Sequence, residues 1–208
     1  MNILYLSCSP RGAASESHRL ARNIIDRLRR HAPEAVVLER ALGGGALPHI
    51  DGSYATTLAA SHDSPTDDTT GTLAVSDALI DELERSDALV IGTPMHNFTV
   101  PSALKAWIDH VVRARRTFDV GREGKLGRLR DRPVYIAVSS GGVFSGDRAR
   151  QPDFLTPYLK VVLAVIGLRN VHFFSVEGSA LGAQALTDAR ACAERALQRH
   201  FGRADAVH

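Results

Sequence analysis

The stretch NILYLSCSPRGAASES, residues 2–17, decides the fold of this 208-residue chain. It opens with a short apolar run that predicts a buried β-strand. A loop rich in serine follows, and a helical pattern then begins, with Ser15 or Ser17 as its amino-terminal cap. The loop offers hydroxyl groups beside the unsatisfied N–H groups of a helix start, which together favour a bound phosphate. Taken alone, it is equally well an ordinary serine-rich turn.

Two further apolar strands run into loops of unusual composition. Residues 88–92 lead into Thr93-Pro94-Met95-His96-Asn97-Phe98, and residues 134–138 lead into Ser139-Ser140-Gly141-Gly142. The second loop, residues 93–98, combines the amide of Asn97, which both donates and accepts, with the flat apolar ring of Phe98. The third loop, residues 139–142, contains two glycines, so its backbone N–H groups can approach a ligand closely. A flavin ring requires this combination of polar edge and apolar face, although an ordinary turn remains the alternative for each loop.

Strands and helices alternate along the chain. Further strands are predicted at residues 35–38 and 171–174, and helices at residues 15–31, 73–85, 101–115, 155–167 and 183–200. This alternation predicts an α/β fold in one domain, residues 1–208, with a doubly wound five-stranded parallel sheet and helices on both faces. Because ligands bind outside the carboxyl ends of such strands, the three loops should converge on one crevice.

Two segments interrupt the alternation. Residues 41–72 form a long connection rich in Gly, Ser, Thr and Asp, with one short helix expected around residues 54–60. Its interpretation as a lid, a dimer contact or neither stays open. Residues 117–132 are polar and glycine-bearing, so they are expected to be a simple connection. The arginines within and before this connection attract nicotinamide phosphates or form a solvated face.

Composition argues against several classes of protein. A net charge of +2 is too small to suggest nucleic-acid binding, and no apolar run is long enough for a membrane. The start of the chain does not read as a signal peptide, and two cysteines do not make a disulfide framework, so a cytoplasmic location is expected. The nine histidines show no metal-ligand spacing with cysteines or carboxylates, so no metal site is expected.

The first loop, residues 8–17, lacks the motifs of other phosphate-binding loops. The Gly-x-Gly-x-x-Gly fingerprint and the Gly-Lys-Ser/Thr of a P-loop are both absent. A phosphatase loop of the Cys-x5-Arg type, counted from Cys8, would need an arginine where Ala14 stands. Without that arginine neither the thiolate nor the transferred phosphate is stabilised. Cys8 is therefore interpreted as a small buried residue.

Together these residues resemble the flavodoxin-like FMN-dependent NADH:quinone oxidoreductases, also called azoreductases. The resemblance covers nearly the full length, and it includes Pro94–Phe98, the helix from Ala103 to Arg115, Ser139–Gly142, Thr156–Leu159 with Ile166-Gly167, and Glu177-Gly178. It implies the sheet order 2-1-3-4-5. It also implies one non-covalent FMN bound by Ser9, Ser15, Glu16, Ser17, Met95, His96, Asn97, Phe98, Ser139, Ser140, Gly141 and Gly142.

The resemblance further implies an enzyme that takes a hydride from NADH, with NADPH open as an alternative donor. Two electrons then pass to a quinone, or to an azo compound as a second class of acceptor, in a ping-pong reaction. No catalytic residue is required because the flavin carries the chemistry, and His96 and Phe98 lie near the substrate. This chain departs from the family at four positions: the family often has tyrosine at His96, arginine at Ser140 and aromatic residues at Val120 and Val162. These positions surround the substrate, so the departures affect the choice of acceptor more than the binding of FMN. The alternatives are a flavodoxin-type electron carrier and an FMN-based sensor without turnover.

A homodimer is also expected. Residues 158–166 are apolar nearly all round, whereas a helix that covers one sheet face needs a single apolar stripe. A second copy of the chain would bury the surplus, and it would bring residues near Val162 beside the other chain's flavin. Coverage of this helix by residues 41–72 of the same chain is the alternative.

Overall fold

The computed structural model describes residues 1–45, 47–59 and 71–202. The strands are β1 (Asn2–Ser7), β2 (Val36–Ala41), β3 (Ala88–Pro94), β4 (Phe118–Gly121), β5 (Gly124–Gly127), β6 (Val134–Ser139) and β7 (Val171–Val176). The helices are α1 (Glu16–His31), α2 (Gly52–Ala59), α3 (Gly71–Arg85), α4 (Ser102–Val111), α5 (Leu155–Val165) and α6 (Ala183–Phe201). In this part of the chain, no helix has both the length and the apolar character to cross a membrane.

Five of the strands form one parallel sheet in the order β2-β1-β3-β6-β7. Counting only these five, the order is 2-1-3-4-5, so the predicted topology is confirmed. Side chains of β1 alternate between two cores: Leu4 and Leu6 pack with residues of α3, α4 and α5, whereas Ile3 and Tyr5 pack with residues of α1 and α6. Helices therefore cover both faces of the sheet, as a doubly wound fold requires.

The prediction that residues 117–132 form a simple connection is wrong. β4 and β5 pair there as an antiparallel hairpin. The hairpin is docked tightly on the end of α5, because a Cβ on Gly127 would lie 2.2 Å from the backbone nitrogen of Gly167. A Cβ on Gly167, whose φ is +104°, would in turn lie 2.6 Å from the carbonyl oxygen of Leu129. Only glycines permit this approach of the two backbones.

The described part of the long connection packs against the end of α4. The Nε2 atom of His110 lies 2.9 Å from the carbonyl oxygen of Pro48, and the guanidinium of Arg115 donates to the carbonyl of Leu58. Tyr54, on α2, is buried beside His110, and the two rings are nearly perpendicular with their centroids 6.0 Å apart. The short helix expected around residues 54–60 is thus α2, and residues 60–70 lie outside the described residues.

Candidate functional site

The three predicted loops leave three neighbouring strands of the sheet, β1, β3 and β6, at their carboxyl ends. Hydrogen bonds join them directly. The N–H of Cys8 donates to the carbonyl of Gly92 at 2.9 Å, and the N–H of Met95 donates to the carbonyl of Ser139 at 2.8 Å. The structure therefore brings the predicted site residues together at the carboxyl end of the sheet, where open α/β folds bind ligands.

The first loop turns into α1 through a serine cap. The hydroxyl oxygen of Ser15 accepts from the N–H of His18 at 3.1 Å, which confirms the predicted cap. The Ser17 hydroxyl lies 3.3 Å from that of Ser15, and the Ser9 hydroxyl accepts from the N–H of Arg11 at 3.2 Å. The N–H groups of the first turn that follow Ser15, at positions 16 and 17, have no intrahelical acceptor. The loop thus presents free donors at the positive end of a helix dipole.

Glu16 differs from the other predicted binding residues because its side chain is already paired. Its carboxylate accepts from Arg19 at 3.0 Å and from Arg190 of α6. The hydrogen bond from Arg190 is the largest cause that lowers the pKa of this carboxyl, and the bond from Arg19 adds to it, against some desolvation. Two guanidinium groups therefore offset its negative charge, and only its backbone N–H is left for a ligand.

The second loop holds two residues in a rare backbone conformation. His96 and Thr99 exchange two backbone hydrogen bonds of 3.0 Å, and Asn97 and Phe98 between them have φ of 47° and 70°. Positive φ at both central positions is the pattern of a type I′ turn, which normally takes Asn-Gly. Phenylalanine in this conformation costs on the order of 1–2 kcal/mol. Such strain clusters at ligand sites, and Phe98 is exposed to the extent of 44%, so it is not a core residue.

The third loop turns its carbonyls towards residues 178–180 and leaves two donors free. The carbonyls of Ser140, Gly141 and Gly142 accept from the N–H groups of Ser179, Ala180 and Gly178, respectively. The N–H groups of Gly141 and Gly142 have no acceptor within residues 1–45, 47–59 and 71–202. A Cβ on Gly141 would meet only the Ala180 side chain, at 3.4 Å. Two N–H groups are therefore available to an electron-rich ligand edge.

Gln151 is a site residue that sequence reasoning missed. Its amide nitrogen lies 3.0 Å from the Ser140 hydroxyl and 3.1 Å from the sulfur of Met95. A Cβ on Gly142 would lie 2.2 Å from its amide oxygen, so the side chain fills the space that this glycine leaves. No spacing or motif in the sequence connects Gln151 to these loops. It couples the side chains of the second and third loops.

A cavity of about 140 Å³ lies between the first loop, the long connection and the start of α4. His96 and Pro10 line it on the loop side, and His49 lines it on the side of the connection. Cys8 also lines it but is fully buried, and burial raises the pKa of its thiol strongly. The thiol is therefore not a reactive thiolate, and the interpretation of Cys8 as a small buried residue is confirmed.

Most arginines within and before residues 117–132 make contacts within the described chain. Arg113 and Arg116 both donate to Asp77 at 2.6 Å, and Arg128 pairs with Asp119. Arg132 is buried and donates to backbone carbonyls at the end of α3. These contacts favour a structural role over an attraction for nicotinamide phosphates. In the described part of the chain, no three His, Cys, Asp or Glu residues are grouped to hold a metal ion.

Comparison with known proteins defines the class. A family model described as flavodoxin-like fold matches residues 1–201. A Pseudomonas fluorescens protein named FMN-dependent NADH:quinone oxidoreductase 4 is 49% identical over 89% of this chain and 88% of its own. A Burkholderia lata protein named FMN-dependent NADH:quinone oxidoreductase 5 is 51% identical over 86% of each chain.

Solved structures agree on the fold. The crystal structure of azoreductase AzrA superposes with a TM-score of 0.84 at 22% identity, over 98% of this chain and 100% of that one. A Bacillus anthracis FMN-dependent NADH-azoreductase, solved in complex with FMN, gives a TM-score of 0.78 at 20% identity over 96% and 99%. The chain is thus a flavodoxin-like protein. It belongs to the family of the FMN-dependent NADH:quinone oxidoreductases.

Proposed function

We propose that this protein is an FMN-dependent oxidoreductase that transfers two electrons from NADH to quinones. The observation that carries the proposal is a set of free hydrogen-bond donors at the carboxyl end of the sheet. One group of donors is the first turn of α1, which follows β1, and the other is the pair of N–H groups of Gly141 and Gly142, which follow β6. A phosphorylated flavin has a dianionic end and a ring with an electron-rich edge, so both sets of donors match it. The names of the relatives support the same cofactor and donor.

The first loop would hold the phosphate. Ser9, Ser15 and Ser17 are buried, yet their hydroxyl groups stand beside the free N–H groups of the first turn of α1. Each charge-assisted hydrogen bond contributes about 1.5–3 kcal/mol. Glu16 would contribute its backbone N–H alone, because its carboxylate is paired with Arg19 and Arg190.

The second and third loops would hold the ring. Phe98 offers an apolar face and Asn97 an amide, both fixed by the strained turn, while Met95 is anchored to the Ser139 carbonyl. When bound, FMN supplies hydride acceptance and two-electron transfer, which no side chain here can perform. The N–H groups of Gly141 and Gly142 would stabilise negative charge at the carbonyl edge of the ring. No step requires a protein nucleophile.

His96 would face the acceptor. Its side chain is exposed at the mouth of the crevice and lines the cavity of about 140 Å³ beside Pro10. The imidazole of His96 carries a ring N–H, so it can donate a hydrogen bond to a quinone oxygen. NADH and the acceptor would occupy this mouth in turn, which gives ping-pong kinetics, and azo compounds would be a second class of acceptor.

A second copy of the chain would complete the enzyme. Four large apolar side chains are more than half exposed on the β4–β5 hairpin and on or beside α5: Val120, Leu126, Phe154 and Val161. Val120 and Leu126 lie on opposite faces of the hairpin, so contact with a second copy would have to bury both faces or wrap around its tip. Val161 stays exposed although residues 41–45 and 47–59 are in place, because the described part of this connection packs on α4. Both cysteines are free, which supports a cytoplasmic location.

One experiment separates the enzyme from its alternatives. Purified protein is mixed with FMN, then with NADH without oxygen, and finally with benzoquinone. The proposal expects a bound yellow flavin, bleaching by one NADH, rapid return of the colour with benzoquinone, and parallel lines in double-reciprocal plots. Bleaching without multiple turnovers would indicate an electron carrier or a sensor. If the protein binds no FMN and gains no thermal stability from it, the proposal fails.

A further inference from the structure

A groove of about 540 Å³ lies at the start of the edge strand β7, at the opposite end of the sheet from the crevice. Its lining consists of Lys160, Val171, His172, Phe173, Phe174, Ala196, Arg199 and His200. Four of these eight side chains are basic and none is acidic. The volume is that of a small-molecule site. The groove therefore combines aromatic walls with an excess of positive charge.

Two histidines form the wall on the α6 side. The ring centroids of His172 and His200 are 4.4 Å apart, and the ring of Phe174 meets His200 edge-on at 5.5 Å. Tyr135 of β6 lies behind both histidines, at 5.5 Å and 5.8 Å. Desolvation lowers the pKa of both imidazoles, and His172 lowers that of His200 further. A neighbouring anion would oppose this effect, because it would raise the pKa of both imidazoles and favour their charged forms.

The two remaining basic groups are not neutralised within the described chain. The amino group of Lys160 sits 5.7 Å above the ring of Phe173, and neither Lys160 nor Arg199 makes an ion pair there. Arg113, Arg116 and Arg128, by contrast, are all paired with aspartates. Lys160 projects from α5 and Arg199 from α6, so the uncompensated charge borders the groove from both sides.

We propose that this groove is a second binding site, separate from the crevice, for a flat aromatic molecule that carries a phosphate or carboxylate group. Phe173 and Phe174 belong to opposite faces of β7, so the apolar body would lie across the edge of that strand, between the two rings. The anionic group would lie beside Arg199 and the two imidazoles, with Lys160 adding positive charge from the α5 side of the strand. Binding would be coupled to proton uptake by His172 and His200, because the anion stabilises their charged forms.

The test uses the full chain with FMN added, so that the crevice is occupied, and 1-naphthyl phosphate as the probe. The ring signals of His172 and His200 are followed by NMR while pH is varied. The probe should raise their pKa values by about one unit. Its affinity, expressed for the dianion of the probe, should fall about tenfold between roughly pH 6 and pH 8. 1-Naphthol and inorganic phosphate should each bind at least about tenfold more weakly, because each lacks one half of the recognised chemistry.

Variants provide the second arm. Replacing Lys160 and Arg199 together by glutamine should weaken binding of 1-naphthyl phosphate about tenfold or more. Lys105→Gln, which alters a lysine paired with Asp109 on α4, is the matched control and should leave binding unchanged. The proposal is overturned if the probe leaves the His172 and His200 signals unmoved, or if the double variant binds as tightly as the parent. Equal binding of either fragment would refute the combined recognition. None of these outcomes depends on turnover.

Discussion

The backbone N–H of Met95 donates to the carbonyl of Ser139 at 2.8 Å, which joins the second loop to the third where β3 and β6 end. The side chains repeat the connection, because the amide of Gln151 reaches both the Met95 sulfur and the Ser140 hydroxyl. The two loops thus form one rigid wall of the crevice. A ligand that fits this wall therefore binds with little loss of conformational entropy in these two loops.

Replacing Ser15 by aspartate should separate helix capping from phosphate binding. Aspartate caps a helix as well as serine does, so the free energy of unfolding of the FMN-free protein should change by less than about 1 kcal/mol. The added negative charge should weaken FMN binding by about 2 kcal/mol or more. Urea unfolding and a fluorescence titration with FMN measure the two effects. Ser15→Ala, the comparison, should lose both the cap and affinity. An aspartate variant that binds FMN like the parent would contradict the phosphate role.

Phe98→Gly should change stability and cofactor affinity in opposite directions. Glycine adopts the left-handed φ of 70° without strain, so the FMN-free protein should be more stable by about 1 kcal/mol. The loss of the aromatic face should weaken FMN binding by about 1 kcal/mol or more. Thermal melts with and without FMN report both effects. Asn97→Gly is the control for strain alone and should stabilise less, because asparagine tolerates positive φ. Unchanged FMN affinity in Phe98→Gly would exclude contact with the ring.

Gly141→Ala should harm the cofactor and spare the fold. The new methyl would make ordinary contact with Ala180 at 3.4 Å, so the FMN-free protein should unfold within about 1 kcal/mol of the parent. The methyl would occupy space that the ring edge needs, and Gly141→Val should be worse. Gly52→Ala, where a Cβ meets nothing within 4 Å, controls for the general effect of removing a glycine. Equal FMN affinity in all three variants would show that the ring does not approach the third loop.

Glu16→Gln should lower stability near neutral pH but not in acid. The pKa of Glu16 is lowered in the fold, mainly by the hydrogen bond from Arg190, so its contribution is complete above the unfolded value of about 4.3. That contribution disappears as pH falls through the lower folded value. The parent should exceed the variant by no more than about 1 kcal/mol at pH 7, since the arginines are partly exposed. Unfolding at about pH 7 and pH 3 tests this. A constant difference at both values would refute the ion-pair explanation.

Val161→Glu should dissociate the proposed dimer. Val161 is 67% exposed on α5, and a carboxylate there would have to be buried in an interface between two copies. Light scattering should therefore report a dimer for the parent and a monomer for the variant. Val36→Glu is the matched control, because Val36 is 64% exposed on the opposite edge strand β2. A parent that is an active monomer would rule out both the dimer and a site shared between two chains.

Sequence reasoning reached the five-stranded parallel sheet because its strands are short apolar runs between helices. The order of the strands came from the resemblance to a known family, because the runs themselves do not say which strands are neighbours. It missed the β4–β5 hairpin, whose four-residue strands alternate weakly and contain three glycines. Strands this short are defined by their partner and not by their own sequence.

Within the candidate site, the sequence predicted the Ser15 cap because capping follows from local residue type. It could not predict the left-handed conformation of Phe98, which opposes the local preference of phenylalanine and depends on the bonds between His96 and Thr99. Nor could it find Gln151, whose role depends on a glycine nine residues earlier that leaves room for its amide.

The contact between Gly127 and Gly167 has a mechanical consequence. Since the two backbones meet with no side chain between them, the base of the hairpin is held directly against the end of α5. The position of its exposed tip at Val120 therefore depends on this contact at the base of the hairpin. A substitution at either glycine would displace that tip while leaving every crevice residue untouched, so the resulting defect would mimic damage to a binding site from a position well outside it.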